Sequence, residues 1–468
     1  MTRRLLHALV LSCAALVFAA GAAGGGTPPG KQPPANTSLP MIGGTAETNS
    51  TLTATSGNWS GQVSGFTYQW LRCDVGGGAC APIAGQTSTS HLIASTEGGA
   101  TLRIAVTASN KNGATVATSA ATAVVSAPAS TAPPGSSPPL AAQNARFGFA
   151  AGGNIQSLSA TDLTRYLDGA RDARSGWIRF DINWDMIQSG GASSNNWAPF
   201  DNVVRATTAR GMKVLATILY TPSWARPAGT GANTPPTDLS AYASFVRTAV
   251  TRYAPMGVHA YEIWNEPNIV NFWAPGPDPA RYAQMLKLAY SSVKGADPSA
   301  TVISAGLSPY GSNGQSDAQH MNPLNFLEQM YANGAAGSFD AVGWHPYNYP
   351  YGLAYATWSA WSQMAQTSPS ARSIMTANGD AAKQIWATEF GAPTGGTTRD
   401  ISEAAQAQLV TDSYTQLKSW SWAGPAFFYS YHDNGTSRTD VEQNFGVIHF
   451  DWTPKLSYAA YQSAAAAG

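Results

Sequence analysis

Charge is scarce in this 468-residue sequence. Its 26 basic and 26 acidic side chains make up 11% of the chain and cancel, against roughly 25% charged residues in an average soluble domain. So sparse and balanced a set builds no broad positive field for nucleic acid and no polybasic patch for an anionic membrane. The seven histidines are scattered, without the HExxH type of spacing. No catalytic metal is implied, and no other cofactor. FAAGGN is too weak a match for a phosphate-cradling glycine loop, and residues 142–468 contain no G-x-S-x-G elbow for a serine nucleophile. Away from the N-terminus no apolar run reaches the ~18 residues of a membrane span.

Cysteine is nearly missing, with three residues. Cys13 lies in the opening stretch MTRRLLHALVLSCAALVFAAGAAGGG. There Arg3 and Arg4 precede an apolar run from Leu5 to Ala20, and Ala20-Gly21-Ala22 offers a small-residue cleavage box. This is the pattern of a secretory signal, expected over residues 1–23 and implying a secreted, extracellular protein. Val-Leu-Ser before Cys13 loosely resembles a lipoprotein box, but cleavage there would cut the apolar run in two. No membrane anchor is expected. Removing the signal leaves Cys73 and Cys80, expected to form a disulfide around the Gly-rich DVGGGA. With no histidine nearby they make a poor zinc site.

Aromatic residues are plentiful: 15 Trp, 19 Tyr and 15 Phe. They can pack a large core or stack on sugar rings, and position decides between the two. Residues 24–37 read as a flexible lead-in rich in Gly and Pro. From 38 to 127 short alternating runs such as FTYQWLRC and TLRIAVTASN read as strands between Gly and Asn turns. YQWLRC and RIAVTASNKNG resemble the immunoglobulin-like modules of bacterial secreted proteins, which implies a small β-sandwich. A spacer role is favoured over carbohydrate binding, because few aromatics are left for its surface. Residues 128–141, APASTAPPGSSPPL, form a Pro/Ser-rich linker.

Residues 142–468 alternate strand and helix. Strands are predicted at 145–150, 176–182, 213–220, 259–264, 301–306, 340–346, 384–390 and 425–431, with amphipathic helices such as LSAYASFVRTAVTRYA between them. The fold class is α/β: eight such units close into a (β/α)8 TIM barrel, behind a small all-β module. A doubly wound sheet is the competitor. Reactive groups collect where barrel strands end. That face gathers Arg179, Asp181, Asn183, Trp224, Asn265, Glu266, His345, Tyr347, Glu389, Tyr429 and Tyr431. Glu266 in YEIWNEPN and Glu389 in IWATEFG end the fourth and seventh strands, across the barrel mouth. Cleaving a glycosidic bond needs two facing carboxyls.

WNEPN followed by TEFG resembles clan A glycoside hydrolases, the four/seven superfamily, with a texture most like family 39. The resemblance implies a retaining enzyme with Glu266 as acid/base and Glu389 as nucleophile. It further implies that Asn265 bonds the substrate 2-hydroxyl and that Arg179 keeps the nucleophile ionised. His345 and Tyr347 would orient that nucleophile and line the −1 subsite. Tyr429 and Tyr431 replace the clan's usual platform Trp, and Trp224 is expected to line the cleft. Glu262 reads as a buried structural carboxylate. Asp181 and Asn183 read as supporting groups, with sugar contact as the alternative. The expected partner is an oligosaccharide or polysaccharide, acted on by a monomer, with residues 221–238 and 346–361 as cleft walls. A transglycosylase would use the same pair of carboxylates. A non-catalytic carbohydrate-binding protein would need neither.

Overall fold

A computed structural model describes residues 32–48, 50–126, 144–310, 316–353, 359–395 and 399–467. The expected signal (1–23) and linker (128–141) lie outside the described residues. The chain divides into two compact units, Met1–Gly135 and Ser136–Gly468.

The first unit is all-β, with small antiparallel sheets. Its largest sheet orders Ala81–Pro82, Gly65–Cys73, Thr101–Asn110 and Gly113–Thr118. Strand alternation buries Leu102, Ile104, Val106 and Ala108 in turn, so every second residue reaches the core around Trp70. The Trp70 indole N–H donates to Ser88 O at 2.9 Å, satisfying the one polar atom this ring buries. Cys73 and Cys80 form a disulfide. The loop they close turns on Asp74, whose Oδ1 accepts the Gly78 N–H at 2.7 Å, and on Gly77 at a left-handed φ of 78°.

In the second unit eight parallel strands close a barrel: Asn144–Ala150, Ser175–Asn183, Lys213–Leu219, Ala260–Ile263, Thr301–Ser304, Ala341–Trp344, Gln384–Phe390 and Ala423–Tyr429. The first strand pairs with both the second and the eighth, which rules out the open doubly wound sheet. Helices Ala160–Asp172, Ala198–Thr208, Leu239–Tyr253, Pro279–Ala296, Pro323–Ala332, Ala371–Ala377 and Glu403–Ser419 connect successive strands, and Leu456–Ala466 closes the chain. Helix starts follow from their caps, as where Asp278 Oδ1 accepts the Arg281 N–H at 2.9 Å ahead of Pro279. The helix at Ala371–Ala377 is absent from the sequence reading. At seven residues it shows too little periodicity, and a Ser370–Ser373 capping box sets its start.

Alternation along the strands sorts side chains into two layers. Ile178, Phe180 and Ile182 face the helices in the large outer core, while Trp177 joins Leu215, Ala260, Ile303, Ala341, Trp386 and Phe427 in a second cluster that fills the barrel floor. Arg179 and Asp181 share the parity of Trp177, so they point inward above that apolar plug. The chemistry is built on this step from an apolar floor to a polar mouth.

Candidate active site

Glu262, on the inner face of the fourth strand, is fully buried. It accepts hydrogen bonds from Arg179 Nε at 2.6 Å, Thr217 Oγ1 at 2.9 Å and the Gly306 N–H at 3.0 Å. It thereby fixes the guanidinium. The rest of Arg179 fans out to the mouth: one terminal nitrogen donates to Asn265 Oδ1 at 2.8 Å, the other to Glu389 Oε1. Arg179 has no exposure and is not among the residues lining the cavity; its bonds to the mouth run to Asn265 and Glu389. Burial alone would lower its affinity for a proton, but the charges of Glu262, Glu389 and Asp181 outweigh this and raise it.

The fourth strand ends in two left-handed residues. Trp264, at φ 73°, turns outward and packs on Tyr242 and Trp273. This breaks the alternation and brings Asn265 into the mouth. Glu266 follows at φ 42°, a conformation that costs a non-glycine residue about 1 kcal/mol or more and recurs at functional sites. Its N–H donates to Gly306 O at 3.0 Å, and its own carbonyl accepts the Ile269 N–H at 3.1 Å.

Glu389 reaches the mouth by a different device. Between Ala387 and Phe390 the seventh strand advances three residues while the eighth, from Ala426 to Phe428, advances two. This bulge places an extra residue in the strand and re-aims the side chain next to Thr388. Glu389 Oε2 accepts from the Tyr347 hydroxyl at 2.9 Å. Burial pushes its carboxyl up, but the charges of His345 and Arg179, with hydrogen bonds from Tyr347 and Arg179, outweigh burial and hold it below the ordinary carboxylate range.

His345 is fully buried, and its Nδ1 stands 2.8 Å from Glu266 Oε1 and 3.8 Å from Glu389 Oε2. The sequence reading gave it to the nucleophile and to the subsite wall; its hydrogen bond goes to Glu266 instead, and the ring lies outside the cavity lining. Gly306 makes room for it, since a Cβ there would stand 2.1 Å from His345 Nε2. Burial lowers the imidazole's proton affinity, but Glu389 and Glu266 more than reverse this. One oxygen of each glutamate and one His345 nitrogen lie within 4.8 Å of one another. Such a trio could accept a metal ion, but here every member already serves a hydrogen-bonded array.

A cavity of about 1230 Å3 opens over these groups. Of the residues singled out from sequence, Asp181, Asn183, Asn265, Glu266, Tyr347, Glu389 and Tyr429 line it. Trp224 and Tyr431 do not. Tyr431, with 4% exposure, stacks edge-on between Phe149 and Tyr166 in the outer core. The eighth strand ends at Tyr429, two residues before the predicted 431, and beyond it alternation no longer aims the side chain. Trp224 is 40% exposed away from the cavity, its indole N–H donating to Gln188 O at 2.9 Å and its ring edge-on to Trp184. No described residue of 221–238 lines the cavity. That loop folds on itself, Thr221 N–H to Ala232 O at 2.8 Å and Thr237 N–H to Ala225 O at 2.8 Å. Phe272 and Tyr310 line the cavity, as do Tyr347, Tyr349 and Tyr351 of the expected wall at 346–361.

Sequence reasoning missed Tyr220, Phe272, Tyr310, Arg399 and Phe445 in the lining. Tyr220 follows the third strand at φ 65°, and no sequence signal marks that turn. Glu442 also lines the cavity and accepts from the Tyr429 hydroxyl at 3.3 Å. Asp433 is buried and bonded to Lys455 Nζ at 2.7 Å and the Gly446 N–H at 2.7 Å, a brace for the loop after the eighth strand.

The family model of cellulase (glycosyl hydrolase family 5) matches residues 145–425, the whole of the barrel up to its last strand. The chain belongs to glycosyl hydrolase family 5. It is an O-glycosyl hydrolase of the clan that the WNEPN and TEFG motifs resemble. Among solved structures it is similar to a family 39 glycoside hydrolase from Bacteroides cellulosilyticus WH2, at 20% identity over 86% of this chain and 77% of that one, with a TM-score of 0.55. GH5_18 from Streptomyces cattleya, solved with GlcNAc, matches at 14% identity over 69% and 80%, TM-score 0.50. A glucosidase from Croceicoccus marinus matches at 18% over 70% and 68%, TM-score 0.50. At such identities these likenesses establish the barrel alone. Family 39 texture in the sequence thus accompanies a family 5 match within the same clan. No curated protein matches the sequence.

Proposed function

We propose that this glycosyl hydrolase is a secreted retaining enzyme that cleaves β-linked oligo- or polysaccharides. Glu389 attacks the anomeric carbon, while Glu266 protonates the leaving oxygen and then activates water. The approach of Glu266 and Glu389, oxygen to oxygen within 4.8 Å, carries the reading. Carboxyls about 5–5.5 Å apart act in double displacement, whereas inverting pairs leave roughly 6.5–9.5 Å for a water. The division of roles follows from surroundings. Glu389 is held ionised by Arg179 and Tyr347, as a nucleophile must be. Glu266 meets His345, its Oε1 2.8 Å from Nδ1, which positions it for the acid/base role. Asn265 has its Oδ1 taken by Arg179, which leaves its amide N–H groups for the sugar 2-hydroxyl.

The cavity exceeds the roughly 300–1,000 Å3 of ordinary small-molecule pockets, which favours a substrate of more than one sugar. The N-terminal all-β unit serves in this reading as an immunoglobulin-like spacer, behind the secretion signal of residues 1–23. The test is proton NMR of the first product released from a panel of β-glucan, β-mannan, xylan and chitosan. A β-anomer formed first supports double displacement. An α-anomer formed first contradicts it.

A further inference from the structure

Asp181 is a carboxylate of the mouth that the reaction above does not use. It sits two residues beyond Arg179 on the inner face of the second strand and lines the cavity with 9% exposure. The other acids of the site meet protein partners: Glu262 has three donors, Glu389 has Arg179 and Tyr347, and Glu266 has His345. Among the described residues no protein donor hydrogen-bonds the Asp181 carboxylate. Its Oδ2 lies close against the backbone of Gly153, where a Cβ would stand 3.1 Å away. Gly153 lines the same cavity, so a side chain there would fill the space in front of the acid. The donors to Asp181 therefore come from what fills the cavity, water in the free enzyme or the hydroxyls of a ligand that displaces it.

We propose that Asp181 anchors the glycone of the substrate, accepting hydrogen bonds from two neighbouring hydroxyls of the −1 sugar, and so selects a neutral pyranose against a uronic acid. This deepens the glycosidase reading and rests on it. Two carboxylate oxygens match a vicinal diol, with no proton transferred. Selection against a sugar carboxylate follows from the lining, which holds Asp181, Glu266, Glu389 and Glu442 against Arg399 as its cation, while Arg179 is spent beneath it on Glu262 and Glu389. The groups facing Asp181 are Arg179 on its own strand, Glu262, Glu389, Tyr220 and Tyr429. Burial pushes its carboxyl up to about 7, against the pull of Arg179 and with the help of Glu389 and Glu262. In the free enzyme it therefore ionises across the neutral range, and kcat/KM should rise with pH as it does.

The test uses the full chain and five 4-nitrophenyl β-D-glycosides: glucoside, xyloside, galactoside, mannoside and glucuronide. On the neutral glycosides that the wild type cleaves, D181N should lose roughly 10- to 100-fold in kcat/KM, as expected for hydrogen bonds to a charged acceptor. Its acid limb should move more than one unit lower, where ionisation of Glu389 takes over. D181S, smaller and neutral, should behave alike, and thermal melting reports whether each variant is folded. The glucuronide should be the poorest of the five substrates. Folded variants within threefold of wild type with an unmoved acid limb overturn the inference while leaving the glycosidase reading intact. So does a wild type that prefers the glucuronide. A wild type that cleaves none of the five also overturns the inference, which needs a −1 glycone among them, while the glycosidase reading is judged on the polysaccharide panel.

Discussion

His345 holds Glu266, with Nδ1 and Oε1 2.8 Å apart, and only approaches Glu389, at 3.8 Å. In the proposed roles, the histidine orients Glu266 as acid/base and by its charge holds Glu389, the proposed nucleophile, ionised. Replacing it with Asn should cost roughly 100-fold in kcat/KM on substrates with poor leaving groups and much less on activated aryl glycosides, the signature of impaired proton donation. In the D181N background, where Glu389 sets the acid limb, the His345 substitution should shift that limb to higher pH, since Glu389 loses the charge that most opposes its burial. Gly306→Ala should produce the same leaving-group dependence, because its Cβ would displace the ring. Equal losses on both substrate classes would assign His345 to packing alone.

Arg179→Met should inactivate the enzyme by at least about 100-fold and destabilise it by about 3–5 kcal/mol, because Glu262 and Glu389 would be left buried without their cation. Glu389 is held below its ordinary value of 4.5. Its ionisation therefore stabilises the fold above that value, and the contribution is lost as the pH falls through the folded one. Urea midpoints measured from neutral pH downward should show this dependence in the wild type and a weaker one in the variant.

Tyr431 and Trp224 give the opposite expectation. Tyr431→Phe should leave kcat/KM within threefold, and Tyr431→Ala should cost about 3–5 kcal/mol of stability through the cavity left in the core. Trp224→Ala should leave kcat on a small aryl glycoside nearly unchanged. A drop above tenfold in KM-limited turnover for Tyr431→Phe would bring that residue back to the cleft.

Cys73 and Cys80 should yield no free thiol in the denatured chain once residues 1–23 are removed. Replacing both with Ala should lower the stability of the N-terminal unit by about 2–3 kcal/mol, the chain-entropy value for so short a loop. A chain starting near residue 140 should keep its activity on small substrates. Two titratable thiols would contradict the bridge, and a folded but inactive truncation would contradict the spacer role.

Most of the barrel is legible in the sequence, because strands such as GWIRFDI and KVLATILY are apolar runs of the right length, with amphipathic helices between them. The two glutamates are legible because they end strands that lie across the mouth. What alternation cannot reveal is where it breaks. The left-handed Trp264, Glu266 and Tyr220, the bulge beside Glu389 and the early end of the eighth strand all depend on tertiary pairing. Tyr431 was misplaced by that last feature, and Phe272 and Tyr310 were missed because they sit on loops without periodicity. The partner of His345 was misassigned because sequence shows its strand but not which carboxylate its ring meets.

The most direct measurement of the division of labour is the anomeric configuration of the glycosyl azide formed by each alanine variant of the pair from an activated β-aryl glycoside. Glu266→Ala should still form the glycosyl-enzyme with such a substrate, and azide should then speed turnover and give the β-azide, because azide needs no general base. Glu389→Ala should be nearly inactive, and azide rescue there should give the α-azide, azide standing in for the missing nucleophile. An α-azide from the Glu266 variant together with a β-azide from the Glu389 variant would reverse the two roles. Hydrolysis unaffected by either substitution would remove both residues from the reaction.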